Sequence, residues 1–251
     1  MKYTLEVCTD SFESTLIAQR AGADRVELIA STVLGGITPS YGLCKKVLNE
    51  LDIPFVAMIR PRQAGFSYSK YDLDVMKEDI IALKELGVKG FVFGSLNDDG
   101  SINMKANEYL LKYCEDMDNV FHRAFDIDPD LEGNCKKLID LGFKRVLTKG
   151  GDNKITDTYK IINSLYKKYH DKLEFITGGV RENNVDFIKE NLLVNQLHIS
   201  SNKVCIDKST LANDKLYFGT NPNEDTNPNE DEGTYYLADE DYLKRIIKSF
   251  R

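Results

Sequence analysis

The sequence lacks the features that mark several large classes of protein. None of its apolar runs approaches the roughly 20 residues that a helix needs to span a bilayer. The N-terminus, MKYTLEVCTD, becomes polar too early for a signal peptide. Its 251 residues carry a formal net charge of -7 and no basic cluster, which argues against nucleic acid or a membrane as a partner. We therefore expect a cytoplasmic protein.

Cysteine and histidine are both scarce. The five cysteines are an odd number, are spread along the chain and form no C-x-x-C pair, which argues against a disulfide framework and a structural zinc site. There are only three histidines, and two of them, His122 and His198, fall at the ends of strand-like runs. Such placement makes these two imidazoles candidates for a functional site.

What the sequence does contain is a regular alternation of short apolar runs and longer amphipathic stretches. Eight runs read as strands: 3–8, 25–29, 55–59, 89–93, 119–123, 144–148, 173–177 and 196–200. Several of the intervening stretches end in glycine, which suits the end of a helix. Eight such units in about 250 residues predict one α/β domain over 1–251, a single TIM (β/α)8 barrel with parallel strands.

The closing part of the chain has a different composition. Residues from about 201 to 236 are polar and irregular, and they include a direct duplication of TNPNED at 220–225 and 226–231. This composition predicts a surface loop, and the absence of EF-hand spacing disfavours a calcium site. A final helix over 239–250 is then expected to pack back on the barrel.

Polar residues collect where the predicted strands end. In a parallel barrel these ends form one rim, where catalytic groups gather. The rim residues are Glu6, Glu27, Arg60, Arg62, His122, Arg123, Asp126, Thr148, Thr177 and His198. Glu6 and Glu27 interrupt apolar runs, so a shared proton or a cation must relieve their repulsion, and Arg60 is the expected cation. The alternative is that these glutamates form structural ion pairs with Arg60 or Arg123.

Glycines lie at the same rim. The run Thr177 to Arg181 contains Gly178 and Gly179, where exposed backbone amides ahead of a helix suit an anion such as a phosphate. The alternative is that the glycine pair serves only the turn.

A metal site is a further possibility at this rim. Cys8 ends the first strand and Cys44 lies early in the second helix, so both thiols could approach the rim and bind a cuprous ion. Free cysteines more often pack as small hydrophobic residues, and that interpretation stays open for each of them.

Taken in order, the motifs resemble the copper homeostasis protein CutC family. They are LEVC, VELIA, GGITPS, MIRPRQAGFSYS, FVFGSLNDDG, FHRAFD, RVLT, GGV and LHIS, and they cover about residues 2–201. The resemblance implies a TIM barrel, a cytoplasmic location and a role in copper handling. It also implies a thiol ligand at Cys8, whereas the position of a second cysteine in members proposed to bind copper is Ile29 here.

Two functions are therefore expected. The first is copper homeostasis, with a cuprous ion bound at Cys8. The second is an acid–base enzyme, an isomerase or lyase, acting on a small anionic molecule such as a sugar or sugar phosphate. Its catalytic residues would be Glu6, Glu27, His122 and Asp126.

In the enzyme hypothesis Glu27 or Glu6 abstracts a proton, and His122 donates one or polarises a carbonyl. Asp126 orients Arg123 or His122. The groups that hold the substrate would be Arg60, Arg62, Arg123, Thr148, Gly178, Gly179 and His198.

A third option is that the polar residues at the rim form a closed structural network and the protein acts through partners. An exposed apolar patch on the surface would indicate this function. Pairing into a homodimer through helix faces, with residues such as Phe12 or Tyr71, is compatible with each function.

Overall fold

The computed structural model describes residues 2–209, 212–213 and 233–251, and its centre is a closed barrel of eight parallel strands in sequence order. The strands are β1 (Thr4–Thr9), β2 (Arg25–Leu28), β3 (Phe55–Met58), β4 (Gly90–Phe93), β5 (Asp118–Phe121), β6 (Arg145–Thr148), β7 (Glu174–Thr177) and β8 (Gln196–Ser200). β8 pairs with β1 and closes the ring. The predicted TIM barrel is confirmed, and each strand lies within two residues of its predicted bounds.

Helices follow the strands. They are α1 (Phe12–Ala21), α2 (Tyr41–Glu50), α3 (Lys70–Leu86), α4 (Met104–Leu111), α5 (Leu131–Leu141), α6 (Ile155–Tyr169), α7 (Val185–Asn191) and, near the C-terminus, α8 (Glu240–Ser249). Their ends have physical causes in the sequence. At the start of α3, Ser69 and Asp72 form a reciprocal capping box, and at its end Gly87 takes a φ of +110° that other residues rarely adopt.

Two apolar layers hold the barrel together, because side chains alternate between the two faces of each strand. The outer layer lies between strands and helices and contains fully buried aromatic side chains such as Phe91, Phe121 and Phe175. The inner layer fills part of the barrel interior with seven residues: Ile29, Val56, Met58, Val92, Val120, Leu147 and Ile176. The rest of the interior is polar.

The closing segment differs from its prediction. The region 201–236, predicted to be irregular, has a short strand near each end, and β9 (Lys203–Ile206) pairs antiparallel with β10 (Thr234–Leu237). The TNPNED duplication lies outside the described residues. The predicted final helix is present as α8, and Lys189 of α7 donates to the carbonyl of Ser249 at its end.

The outer surface bears on two further expectations. Among the helices of the described residues, none is long and apolar enough to cross a membrane. Phe12 is partly buried against the core, with the ammonium of Lys46 4.4 Å from its ring centre, whereas Tyr71 is 82% exposed. Of the two residues considered for pairing, Tyr71 is therefore the one that stays on the surface.

Candidate functional site

A cavity of about 340 Å³ opens at the carboxyl ends of the barrel strands, where a TIM barrel normally carries its functional groups. Its lining residues come from most of the strands and from the loops that follow β2, β3 and β5: Cys8, Glu27, Ile29, Thr32, Gly35, Met58, Arg60, Phe66, His122, Arg123, Leu147, His198 and Ser200. Six residues predicted from the sequence thus share one space: Cys8, Glu27, Arg60, His122, Arg123 and His198.

His198 lies between the two glutamates at the floor of this cavity. Its Nδ1 is 2.9 Å from Oε1 of Glu6, and its Nε2 is 3.5 Å from Oε2 of Glu27. Burial alone would lower the pKa of His198, but the hydrogen bond to Glu6 and the charge of Glu27 outweigh it and raise that pKa. The raised pKa favours the charged imidazole, which lies between the two carboxylates and can relieve their repulsion.

The two glutamates differ in their partners. Glu6 accepts from Nε of Arg25 at 2.5 Å as well as from His198. Burial would raise its pKa, but the His198 hydrogen bond and the Arg25 charge together lower it to about 2. Glu27 has no such arginine, and burial raises its pKa despite His198. One glutamate is thus firmly ionised, while the other is disposed to hold a proton.

Arg60 does not have the role predicted for it. Its Nη1 donates to the carbonyls of Leu34 and Gly36, at 2.9 and 2.8 Å, and its Nη2 donates to the carbonyl of Ala64 at 2.6 Å. The prediction that Arg60 neutralises the two glutamates is therefore wrong, because the loops after β2 and β3 occupy its terminal donors. Arg25 and His198 take that role.

Cys8 stands beside Glu27 and His198. The thiol sulfur, a carboxylate oxygen and an imidazole nitrogen of these three residues lie within 4.8 Å of one another. Burial raises the pKa of the Cys8 thiol well above its usual range, and the nearby carboxylate of Glu27 adds to the effect. In the absence of a cation the thiol is therefore protonated.

His122 is a neutral hydrogen-bond donor. Its Nδ1 accepts from the backbone N–H of Ala124 at 3.3 Å, which leaves the proton on Nε2. Burial, followed by the charge of Arg60, lowers its pKa to about 3. The ring lies against Phe66, with 4.6 Å between ring centres. Of the two roles predicted for His122, polarising a carbonyl agrees with this state better than donating a proton from an imidazolium.

Asp126 organises the loop beside the cavity. Its carboxylate accepts from Nε of Arg123 at 3.1 Å, from Oγ1 of Thr148 at 2.5 Å and from the backbone N–H groups of Lys149 and Gly151. It therefore orients Arg123 and does not contact His122 among the hydrogen bonds of the described residues. Thr148 is buried behind Asp126 and does not line the cavity.

Other predicted residues lie away from this cavity. Arg62 pairs with Asp72 at 3.2 Å and belongs to the start of α3. Cys44 is fully buried in the core on α2, which agrees with the packing interpretation and excludes its approach to the rim. Gly178 and Gly179 lie against the Lys149 side chain, and Gly179 lines a separate cavity. Gly179 has a φ of +84°, so the turn itself requires a glycine there.

A chain of polar side chains continues from Glu6 to the base of the barrel. Arg25 donates to Gln196, Gln196 donates to Glu174, and Arg145 contacts both Glu174 and Asp118. Each of these side chains except Glu6 is the first residue of its strand. We call Glu6, Arg25, Gln196, Glu174, Arg145 and Asp118 the base chain.

Some of these residues were not predicted from the sequence. Met58 lines the cavity beside Cys8, and its position two residues before Arg60 on the same strand face was the available signal. Arg25 and Arg145 begin strands rather than end them, so the rule that functional residues lie at strand ends does not predict them. Lys149 follows β6 directly, so its position at a strand end was a signal, but the glycines at 150 and 151 favoured a simple turn there.

These features define a class of protein: a parallel (β/α)8 barrel with a buried polar cavity at the carboxyl ends of its strands. More distant barrels share this architecture. A thiamine phosphate pyrophosphorylase from Pyrococcus furiosus has a TM-score of 0.54 at 13% identity and covers 99% of this chain and 95% of its own, which shows the fold alone.

Within that class, the chain belongs to the CutC family, whose model matches residues 3–203. A CutC family protein of Treponema denticola is 39% identical over 98% of both chains. The human copper homeostasis protein cutC homolog is 38% identical over 79% of this chain and 73% of its own. The crystal structure of a copper homeostasis protein CutC from Streptococcus agalactiae has a TM-score of 0.74 at 34% identity, covering 78% of this chain and 97% of the other.

Proposed function

We propose that the protein binds a cuprous ion as its cargo at Cys8 and His198, within a cytoplasmic role in copper homeostasis. One observation carries the proposal: donor atoms of Cys8, Glu27 and His198 lie within 4.8 Å of one another at the floor of the cavity. Thiolate sulfur and imidazole nitrogen are donors that suit cuprous copper. The name of the human relative supports the same function.

The surroundings of these donors fit a cation. The position of the expected second cysteine is Ile29, but the thioether of Met58 lines the same cavity and is also a soft donor. Nδ1 of His198 is held by Glu6, which fixes the ring and leaves Nε2 as the ligand atom. Oε1 of Glu27 is buried without a hydrogen-bond partner among the described residues.

Nε2 of His198 must be unprotonated when the cation binds, and the thiol of Cys8 must lose its proton. Because burial and Glu27 raise the pKa of Cys8, metal binding releases that proton and the affinity rises with pH. A cytoplasmic location agrees with this chemistry, since all five cysteines are free thiols and a reducing compartment keeps them so.

Anaerobic titration of the reduced protein against a chromophoric cuprous chelator tests the proposal. We expect one tightly bound ion per chain, with the affinity reduced at least about tenfold in Cys8→Ser and in His198→Ala, since each removes one of few ligands. Cys205→Ser is the matched control, because Cys205 lies on β9 away from the cavity. Equal affinities in Cys8→Ser and Cys205→Ser would show that copper binds elsewhere.

A second candidate function, acid–base catalysis, is favoured by a different observation. Three buried polar atoms of residues that line the cavity lack a hydrogen-bond partner among the described residues: Oε1 of Glu27, Nε of Arg60 and Nε2 of His122. Buried polar groups normally find partners, so one acceptor and two donors around one space suit a ligand that satisfies them.

In this candidate function Glu27 is the base. Burial raises its pKa, which makes its carboxylate a stronger base than an exposed glutamate. The Nε2–H of His122 and the guanidinium of Arg60 would donate to a carbonyl or carboxylate oxygen on which negative charge develops. The matching substrate is a small anionic hydroxy- or keto-compound, and the reaction an isomerisation or elimination.

Solvent exchange separates this candidate from copper binding. A panel of hydroxy acids, keto acids and sugar phosphates is incubated with metal-free protein in deuterium oxide and followed by NMR. We expect deuterium at the carbon that Glu27 deprotonates, and its loss in Glu27→Gln but not in Cys205→Ser. Without exchange in any compound of the panel, proton transfer by Glu27 would have no support.

A further inference from the structure

A second cavity lies beside the mouth of the barrel, between the loops that follow β6 and β7. Its volume is about 340 Å³, and its basic lining residues are Lys149, Lys154 and Arg181. No carboxylate belongs to its lining among the described residues. We propose that this cavity binds a phosphate group. The proposal uses other residues than the proposed function and stands independently of it.

The three basic side chains have no acidic partner. Within the described part of the chain, neither lysine nor Arg181 forms an ion pair within 4 Å, and the Arg181 guanidinium donates only to the carbonyl of Val180, at 2.7 Å. Elsewhere on the surface, basic residues near carboxylates pair readily, as Arg245 does with Glu182. Asp126 is close enough to act on Lys149 without pairing with it, so the like charges at this cavity still lack the direct counterion that an anionic ligand would supply.

Lys149 is the most constrained of the three. Its side chain runs past Gly178 and Gly179, where an added Cβ would meet Cε of Lys149 at 3.3 and 3.6 Å. Only the first of these contacts is tight, so Gly178 is the residue that leaves space for the lysine. Burial, together with the charges of Arg123 and Arg181, lowers the pKa of Lys149. A bound dianion would offset that repulsion.

The backbone around the cavity is fixed before any ligand binds. Asn184 accepts from the N–H of Arg181 at 2.8 Å and donates to the carbonyl of Gly179 at 2.9 Å, so it holds the loop in its turn. Ile155 and Thr156 of the first turn of α6 line the same space. The positive end of that helix adds to the field of the three basic side chains.

Phosphate is the anion that this arrangement fits best. An arginine offers paired donors that match phosphate oxygens, and lysines add point charges that favour a dianion over a carboxylate. The ligand could be inorganic phosphate or the phosphate end of a small ester. Both share the group that the cavity recognises.

The test is an NMR titration of amide resonances of the metal-free protein with inorganic phosphate and, separately, glycerol 3-phosphate, at constant ionic strength. We expect saturable shifts confined to residues 149–156 and 178–184. Arg181→Gln and Lys149→Gln should each weaken binding about tenfold, the effect of losing one charge-assisted hydrogen bond. Tighter binding of the ester would assign the site to a phosphorylated small molecule, and tighter binding of the ion to free phosphate.

Lys167→Gln is the matched control, because it removes one exposed positive charge from the far end of the same helix. It should keep the wild-type affinity. The proposal is overturned if neither compound gives saturable shifts, or if all three variants bind phosphate equally well. Unchanged spectra of the ligand-free variants show that each remains folded.

Discussion

The barrel interior contains two groups of buried or partly buried polar side chains that differ in one respect. In the base chain, every ionisable group has a partner: Arg145 alone contacts Glu174 at 2.9 Å and Asp118 at 3.2 Å. At the mouth, Glu27 and His122 each keep a buried atom without a partner among the described residues. The same residue types therefore serve different purposes at the two ends.

The presence or absence of a hydrogen-bond partner separates polar side chains with a structural role from those that suit ligand binding. A buried ion network whose groups are all paired contributes to the specificity of the fold, and removing one member leaves the others uncompensated. An unpaired buried group costs stability and persists where a ligand completes it. The presence of arginine and glutamate does not distinguish the two groups, since both contain these residues; what differs is whether each buried atom has a partner.

The largest expected effect comes from breaking the base chain. Arg145→Met leaves two partly exposed carboxylates, Asp118 and Glu174, without their shared buried partner, while Lys144 and Gln196 still contact them. Because both carboxylates are partly solvated, the free energy of unfolding should fall by about 2–3 kcal/mol, less than for a fully buried pair. Urea denaturation measures it. Lys244→Met, which breaks an exposed pair with Glu240, is the control and should cost less than about 1 kcal/mol. Similar small losses in both variants would mean that the base chain does not stabilise the barrel.

An intermediate effect is expected from pH. His122 is neutral in the folded protein because its pKa falls from 6.5 to about 3, so only the unfolded chain takes up its proton between those values. Stability is then complete above pH 6.5 and is lost as the pH falls towards 3. At pH 5, which is 1.5 units below 6.5, the loss from this group is about 2 kcal/mol.

His122→Gln should remove that part of the pH dependence, measured as the free energy of unfolding at pH 7 and pH 5. His170→Gln, which removes an exposed imidazole, serves as the control and should keep the wild-type difference. The stability that Glu6 contributes is also lost as the pH falls, but at lower pH, since the pKa of Glu6 falls from 4.5 to about 2. An unchanged pH dependence in His122→Gln would contradict the neutral, buried state of this ring.

The smallest effect is expected at Glu27. Glu27→Gln removes a carboxylate. Because burial already disfavours the charged form of this carboxylate, the free energy of unfolding should change by less than about 1 kcal/mol. The matched variant Glu6→Gln removes an acceptor from both Arg25 and His198 and should cost about 1–3 kcal/mol. Thermal denaturation of the two variants at pH 7 compares them directly. A larger loss at Glu27 would reverse the distinction between mouth and base.

The fold was largely readable from the sequence because barrel strands are short, apolar and separated by amphipathic helices. The gathering of Glu27, Arg60, His122 and His198 followed from one rule, that parallel strand ends share a rim. The hydrogen-bond and ion-pair partners of these side chains could not be predicted from the sequence. Arg60 donates to loop carbonyls, and Arg25, three residues after the Gly22 that caps α1, pairs with Glu6 instead.

The reason is geometric. Which cation meets which carboxylate depends on strand register and on the inward face of each strand, and these are fixed only when the ring closes. Glu6 aligns with Arg25 on one side and with His198 on the other. Those two alignments join residues 19 and 192 positions apart, which no local pattern specifies.

The guanidinium of Arg60 ties together two loops that are distant in sequence, through the carbonyls of Leu34, Gly36 and Ala64. An insertion or deletion in either loop would pull these carbonyls out of reach and disturb the opposite loop as well. Redesign of the entrance would do best to alter Ile29 or Met58 and to leave this three-way junction untouched.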